Sequence, residues 1–489
     1  MRRLLLLIIG LPLLLIALGG LLAWLLVDQQ RLVSLAATQL EQRTGAVLEV
    51  HGDSSLRLFP ELALALGDAE LTLPGESPTR VRAETLSLAA KLLPLLQGRA
   101  EIDSLSIRQA RVFLPPQPGK TAGEPLLINS FQARDINLAG EPTPISLDLT
   151  VPGDEPLTLT LEGRLLTAAG LENLQLQDLQ AIVREASGEP RVTLENGSGE
   201  FQLADMRATL RAERLQIQQH PLTTVILQLR LRAGGDLRID SLTGDLHQGQ
   251  LATQGSIWIG ETANRYALEG KLSGLSLEAL LQAMELEAGL QGKGDLQWQL
   301  RAEGAETDEL LQSLSGTVEL DSDALTLRDI GVEGMLCQVV AQVNQEALST
   351  AFPADTELRP LHATLHFADG QMRLDPLRGS LEHIELRGDG RLALLSGDLR
   401  AELRARLSEG LGETDRACRI NPRLAAIDWP VKCRGQLGTS PKDWCRVDAE
   451  SILADLARNE LEGKARKEAG RLLQRLLGGD REEAPATPE

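Results

Sequence analysis

Residues 145–161 read Ile-Ser-Leu-Asp-Leu-Thr-Val-Pro-Gly-Asp-Glu-Pro-Leu-Thr-Leu-Thr-Leu. Ile145, Leu147, Leu149 and Val151 alternate with polar side chains, a Pro-Gly-Asp-Glu-Pro interruption follows, and Leu157, Leu159 and Leu161 resume the alternation. A period of two sends successive side chains to opposite faces, so the stretch predicts a hairpin with one apolar and one wet face. The same period recurs far from it. Leu62, Leu64 and Leu66 have alanines between them, and Leu86 and Leu88 follow. Val225, Leu227, Leu229 and Leu231 alternate with Gln228, Arg230 and Arg232, and Leu399 to Leu407 alternates with Arg400, Glu402, Arg404 and Arg406. Gly244-Asp245, Gly294-Asp295, Gly388-Asp389-Gly390 and Gly397-Asp398 read as turns of an antiparallel meander. At about 5–6 residues per strand, roughly 20–25 strands are expected. Helical patterns interrupt them at 277–287 behind a Ser276 cap, at 308–314 behind Thr307, and at about 330–348.

The composition narrows the function. The chain has 489 residues and a net charge of −20, which argues against nucleic acid as a partner. Aromatic residues make up 2%, too few for base-stacking platforms or aromatic-lined cofactor pockets. What remains is aliphatic, mostly Leu.

Arg2 and Arg3 precede an uncharged run from Leu4 to Val27. Twenty-four helical residues span about 36 Å, enough for a hydrocarbon core of about 30 Å. The run is longer than a signal-peptide core and ends without a small-residue cleavage site, so residues 1–27 are expected to be a transmembrane anchor. The arginines place the N-terminus in the cytoplasm and the rest of the chain outside it. A short helix is expected from Asp28 to Gly45. Four cysteines, Cys337, Cys418, Cys433 and Cys445, fit disulfides in an oxidising compartment, with three connectivities open. They lack the spacing of a zinc knuckle.

No nucleotide, hydrolase or metalloprotease motif is present, and neither a cofactor nor a metal nor a catalytic residue is expected. Gly292-Lys293-Gly294 reads as a turn, and Asp321-Ser322-Asp323 as a solvated strand end. His362 and His366 fall on the polar face of a strand whose apolar face is Leu361, Ala363, Leu365 and Phe367, as two exposed histidines too far apart to share a metal. Residues 449–477 form an amphipathic pattern with a basic second half, suited to capping a sheet or lying on an anionic membrane. A Leu-striped sheet must cover its apolar face with a second layer or leave it open as a groove, and composition does not decide between them.

The segment Thr44-Gly45-Ala46-Val47-Leu48-Glu49-Val50-His51-Gly52, with Leu58-Phe59-Pro60 and Leu62-Ala63-Leu64, resembles the N-terminal signature of the AsmA family. Ser315-Gly316-Thr317-Val318-Glu319-Leu320, Gly334-Met335-Leu336-Cys337-Gln338, Asn344, Phe352-Pro353, Thr356, Gly370 and Gly388 to Gly390 resemble its C-terminal region. Cys418, Trp429-Pro430-Val431-Lys432-Cys433-Arg434-Gly435 and Trp444-Cys445 resemble its cysteine-bearing end. The resemblance implies an inner-membrane protein of outer-membrane biogenesis, in a superfamily similar to bridge-like lipid-transfer proteins. The implied fold is mainly β, a long, curved, antiparallel sheet forming a taco-like groove, with few helices. The expected organisation is an anchor (1–27), an N-terminal periplasmic β-groove domain (28–320), a C-terminal cysteine-bearing β region (321–448), an amphipathic helix (449–477) and a disordered tail (478–489). The implied partners are phospholipid or another envelope lipid, the inner membrane, and envelope assembly proteins. Lipid-groove candidates are Leu62, Leu64, Leu66, Leu86, Leu88, Val225, Leu227, Leu229 and Leu231. The rival expectation is a non-enzymatic factor influencing outer-membrane protein assembly and targeting.

Overall fold

The structure, a computed structural model, describes residues 38, 47–57, 61–72, 79–91, 102–113, 124–136, 141–153, 155–166, 173–202, 205–232, 236–260, 263–286, 289–440, 444–452, 458 and 468–469. The expected anchor, the tail, and all but residue 38 of the expected Asp28 to Gly45 helix lie outside these residues. Among the described residues no helix is long and apolar enough to cross a membrane. The chain divides into two compact units, Met1–Gly270 and Lys271–Glu489.

The first unit is a curled antiparallel sheet. Its strands are β1 (Val47–Val50), β2 (Ser54–Arg57), β3 (Leu62–Thr72), β4 (Arg80–Ala90), β5 (Ile102–Phe113), β6 (Leu126–Ile136) and β7 (Thr143–Val151). There follow β8 (Leu157–Leu166), β9 (Asn173–Arg184), β10 (Pro190–Gln202), β11 (Arg207–Ile217), β12 (His220–Leu231), β13 (Leu237–Leu246) and β14 (Gly249–Trp258). From β3 to β14 every strand pairs with its sequence neighbours. β1 and β2 both pair with β3. The hairpin read from residues 145–161 is β7 and β8, with Leu147 opposite Leu161 and Leu149 opposite Leu159.

Strict alternation does not hold along the strands. Asp68, Gln109, Asp135, Asp178, Asn196 and Thr224 sit inside them with φ between 45° and 55°. This left-handed conformation is most tolerable for short polar side chains such as Asp and Asn. At each one the phase slips, and residues three apart share a face: Leu66 with Ala69, Ile107 with Ala110, Leu222 with Val225. Register shifts at 194–199 of β10 and 239–242 of β13 add to the irregularity. Such irregularities bend strands and increase twist, which curls a sheet.

In the second unit, β15 (Asn264–Ser276) runs in from the first and ends at α1 (Leu277–Ala283), whose Ser276 cap accepts a hydrogen bond from Ala279 N at 3.3 Å. Next are β16 (Leu290–Gly304), α2 (Thr307–Ser313), β17 (Ser315–Ser322), β18 (Leu325–Leu327), α3 (Val332–Asn344), β19 (Thr356–Leu358) and β20 (Leu361–Ala368). The unit continues with β21 (Gln371–Leu381), β22 (Ile384–Ala393), β23 (Asp398–Leu407), α4 (Leu411–Thr414), a 3-10 turn (Arg416–Cys418), α5 (Pro422–Ala425), β24 (Trp429–Gln436) and β25 (Cys445–Val447). β16, β17, β20, β21, β22, β23, β24 and β25 pair antiparallel in that order. β18 and β19 form a small annex on β16. Residues 449–452 are helical, as expected for the start of the C-terminal helix. Most of its remaining residues lie outside those described.

Several turn readings need correction. Gly397-Asp398 does lie at a turn, but Gly244-Asp245, Gly294-Asp295 and Gly388-Asp389-Gly390 lie inside strands, and so does Gly292-Lys293-Gly294. The physical reason is close approach. A Cβ on Gly388 would sit 2.6 Å from Leu403 Cδ2 and 2.7 Å from Glu402 O. A glycine within a strand often marks such a close approach. The expected helices at 277–287 and 330–348 are real but shorter, and the one expected at 308–314 starts one residue earlier. Thr307 is the first helical residue of α2 and not its cap.

Candidate functional site

Directly opposed residues of an antiparallel pair share a face, so the register traces apolar rows across the first sheet. One row runs Leu66, Leu86, Ile107, Phe131, Leu147, Leu161, Ala181, Leu194, Leu215, Leu222 and Leu246, one residue per strand from β3 to β13. Flanking rows include Leu64, Leu88 and Leu105 on one side, and Leu210, Leu227 and Leu242 further along. The opposite face carries Ser87, Ser106, Gln132, Ser146, Glu162 and Gln180 in one row. Its charges are paired across strands, as in Arg82 with Asp68 at 2.8 Å and Arg164 with Asp178 at 2.5 Å.

The apolar face has no second layer among the described residues of this unit. A cluster of Leu179, Leu194, Ala212, Leu215, Leu222 and Val225 is buried, packed against neighbours such as Leu161, Leu210 and Leu242. Toward the strand ends the same face opens: Leu88 is 39% exposed, Phe201 44% and Leu231 39%. The nine groove candidates all lie on this face, and the two groups are linked by the row from Leu66 to Leu222. They differ in burial. Leu66 and Val225 are buried; Leu62, Leu64, Leu86, Leu227 and Leu229 are half-buried; Leu88 and Leu231 are exposed.

The second unit treats its apolar face differently. The row Leu361, Leu386, Ala405 and Trp429 is 0–4% exposed. α3 contributes Val332, Leu336, Cys337, Val340 and Ala341 to this core. Trp429 Nε1 donates to Leu424 O at 3.1 Å. Cys337 is bonded to Cys418, tying α3 to the 3-10 turn, and Cys433 to Cys445, tying β24 to β25. Asn344 Nδ2 reinforces the first tie by donating to Ala417 O at 2.9 Å. The Asp415 carboxylate accepts from Ala417 N, Ser349 N and Oγ, and Thr350 N. These donors, the Ala417 amide first, lower its pKa to about 2 despite desolvation. Away from this end, Leu365, Phe367, Met372, Leu392 and Leu399 stay half-buried.

His362 and His366 occupy the polar face of β20, as expected. His362 is not simply exposed: its Nδ1 lies 2.6 Å from Asp321 Oδ1 on β17. Ser322, read as part of a solvated strand end, is buried and donates to Lys293 O at 2.6 Å. Sequence reasoning did not single out His220 and His247, whose ring nitrogens meet at 2.9 Å where two hairpins end. Burial and then His220 lower the pKa of His247. Nor did it find the Asp415 network, whose partners Ser349 and Thr350 are 66 and 65 residues away in sequence. Among the described residues no three His, Cys, Asp or Glu side chains are grouped to hold a metal ion.

Comparison with known proteins adds two findings. Residues 176–377 match the AsmA family, a span covering β10 to β20 and most of β9 and β21. Protein AsmA of Escherichia coli (strain K12) is 32% identical to this chain over 79 residues. That stretch is 16% of the chain and 13% of the relative, so the similarity spans well under two thirds of that protein's length.

Proposed function

The chain is a member of the AsmA family through residues 176–377, and from that premise we propose that it holds or transfers phospholipid acyl chains on the open aliphatic face of its first unit. The observation that carries this reading is the row of one apolar side chain per strand from β3 to β13, uncovered by a second layer among the described residues. Each acyl CH₂ laid against such a face gains about 0.8 kcal/mol on leaving water. The rows offer no polar anchor, so a chain can slide along them. A carrier of this kind performs no bond chemistry, and the reading is non-enzymatic.

The location proposed with it is the cell envelope. The two disulfides fit an oxidising compartment, and an anchor at residues 1–27 would hold the described units on the periplasmic side of an inner membrane. The physiological role would be outer-membrane biogenesis.

Native mass spectrometry of the full chain in mild detergent tests the reading. Co-purifying phospholipid is expected. Leu147→Glu or Leu229→Glu should expel it while circular dichroism stays β-rich. A folded wild-type chain that carries no lipid, and shows no crosslinks from photo-reactive residues at these positions, would return the sheet to a role in protein assembly.

A further inference from the structure

The polar face of β21 to β24 is built against the charge of the rest of the chain. These four strands carry nine basic and five acidic residues, whereas the whole chain has a net charge of −20. Register concentrates the basic ones. Arg373 lies opposite Arg391, Arg391 opposite Arg400, and Arg400 opposite Arg434, with His366 of β20 next in line. Strands are about 4.8 Å apart, so the four arginines stand in a row about 15 Å long. All four are exposed. None has a side-chain hydrogen bond or a carboxylate within 4.0 Å among the described residues. Arg378, Arg387 and Arg404 form a second row, five residues along β21 and four along β22 and β23. Between the rows stand Asp389, Glu402, Lys432 and Arg446.

Like charges placed directly opposite each other destabilise a sheet. Where arginines oppose each other in the first unit, a carboxylate neutralises one of them: Arg82, opposite Arg111, has Asp68 at 2.8 Å, and Arg230, opposite Arg207 and Arg238, has Asp240 at 3.0 Å. An unneutralised ladder is therefore a feature with a cost, and a bound anion removes the cost. The anion must be extended, because the cations are exposed and spread one per strand across four strands. Guanidinium groups match phosphate oxygens in bidentate fashion. The face offers no large apolar side chain between the arginines, whereas protein interfaces are centred on a buried apolar or aromatic anchor.

We propose that the arginine ladder of Arg373, Arg391, Arg400 and Arg434 is a docking face for a surface of anionic phospholipid headgroups. It lies on the second unit and is independent of the acyl-chain reading, which concerns the first. Docking of this kind is electrostatic and weakens as salt shortens the reach of exposed charges.

The test uses the full chain in nanodiscs of phosphatidylcholine with or without phosphatidylglycerol. All four native cysteines are in disulfides, so Gln371→Cys gives a single labelling position beside the ladder on the same face. Energy transfer from that label to a headgroup-labelled lipid is measured at about 50 mM and about 500 mM salt. Transfer should rise when phosphatidylglycerol is included at low salt, and the rise should vanish at high salt and in the Arg391→Gln/Arg400→Gln double variant. A melting curve and the disulfide-intact mass show whether that variant is folded. If it unfolds, Arg373→Gln and Arg434→Gln, made singly, should each reduce the rise. Equal transfer in both disc types overturns the proposal. So does binding of polyglutamate without any response to phosphatidylglycerol, which would assign the face to an acidic protein. Loss of co-purified lipid in Leu147→Glu bears on neither outcome.

Discussion

Asp415 is a residue whose charge is held by geometry. Its folded pKa of about 2 lies below the ordinary carboxylate value, so it contributes stability above that ordinary value and loses it as pH falls toward 2. Asp448, held down to about 2 by Lys432 and Ser451, acts in the same direction. The second unit should therefore lose stability between about pH 4 and pH 2, and Asp415→Asn should flatten that dependence in urea titrations followed by tryptophan fluorescence. Gly316 is constrained by space and by backbone. Its φ is +129°, and a Cβ there would sit 2.0 Å from Gln299 O. Gly316→Ala should cost about 1–3 kcal/mol, read as a lower urea midpoint.

At the scale of elements, the two disulfides differ in what they close. Cys337 to Cys418 spans 81 residues and Cys433 to Cys445 spans 12. On loop-closure grounds the first contributes about 4–5 kcal/mol and the second about 3 kcal/mol. Replacing Cys337 and Cys418 with Ala should lower the melting temperature of the second unit more than replacing Cys433 and Cys445. The strands themselves were legible in the sequence: the 145–161 hairpin, the 225–231 and 399–407 runs and the polar placement of His362 all follow from a period of two. The interior glycines were not, because a glycine at a turn and one beneath a crowding neighbour look alike until the opposite strand is known. The phase slips at Asp68, Asp178 or Thr224 were hidden for a related reason, since a polar residue inside a strand normally marks only the wet face. The arginine ladder shows the same limit. The alternating arginines of β23 are visible in the sequence, but their alignment with Arg391 and Arg434 is a property of register alone.

At the scale of the whole molecule, the units are stabilised by different means. All four cysteines and the helix-covered core belong to the second; the first relies on one sheet whose apolar face has no second layer among the described residues. Reductant should shift only the unfolding of residues 271–489 in a hydrogen-exchange experiment, leaving protection of β3 to β14 unchanged. The first unit has a further consequence in how its length can change. From β3 to β14 no strand depends on one distant in sequence, so the sheet is additive, like a ruler marked in hairpins. Excising residues 143–166, which removes β7 and β8 together, keeps the chain direction correct where β6 meets β9. It also shortens the row of apolar side chains by two steps, about 10 Å. If the excised chain folds, reach becomes a quantity that can be dialled in two-strand increments, and descent within such a family can adjust span without inventing a new fold.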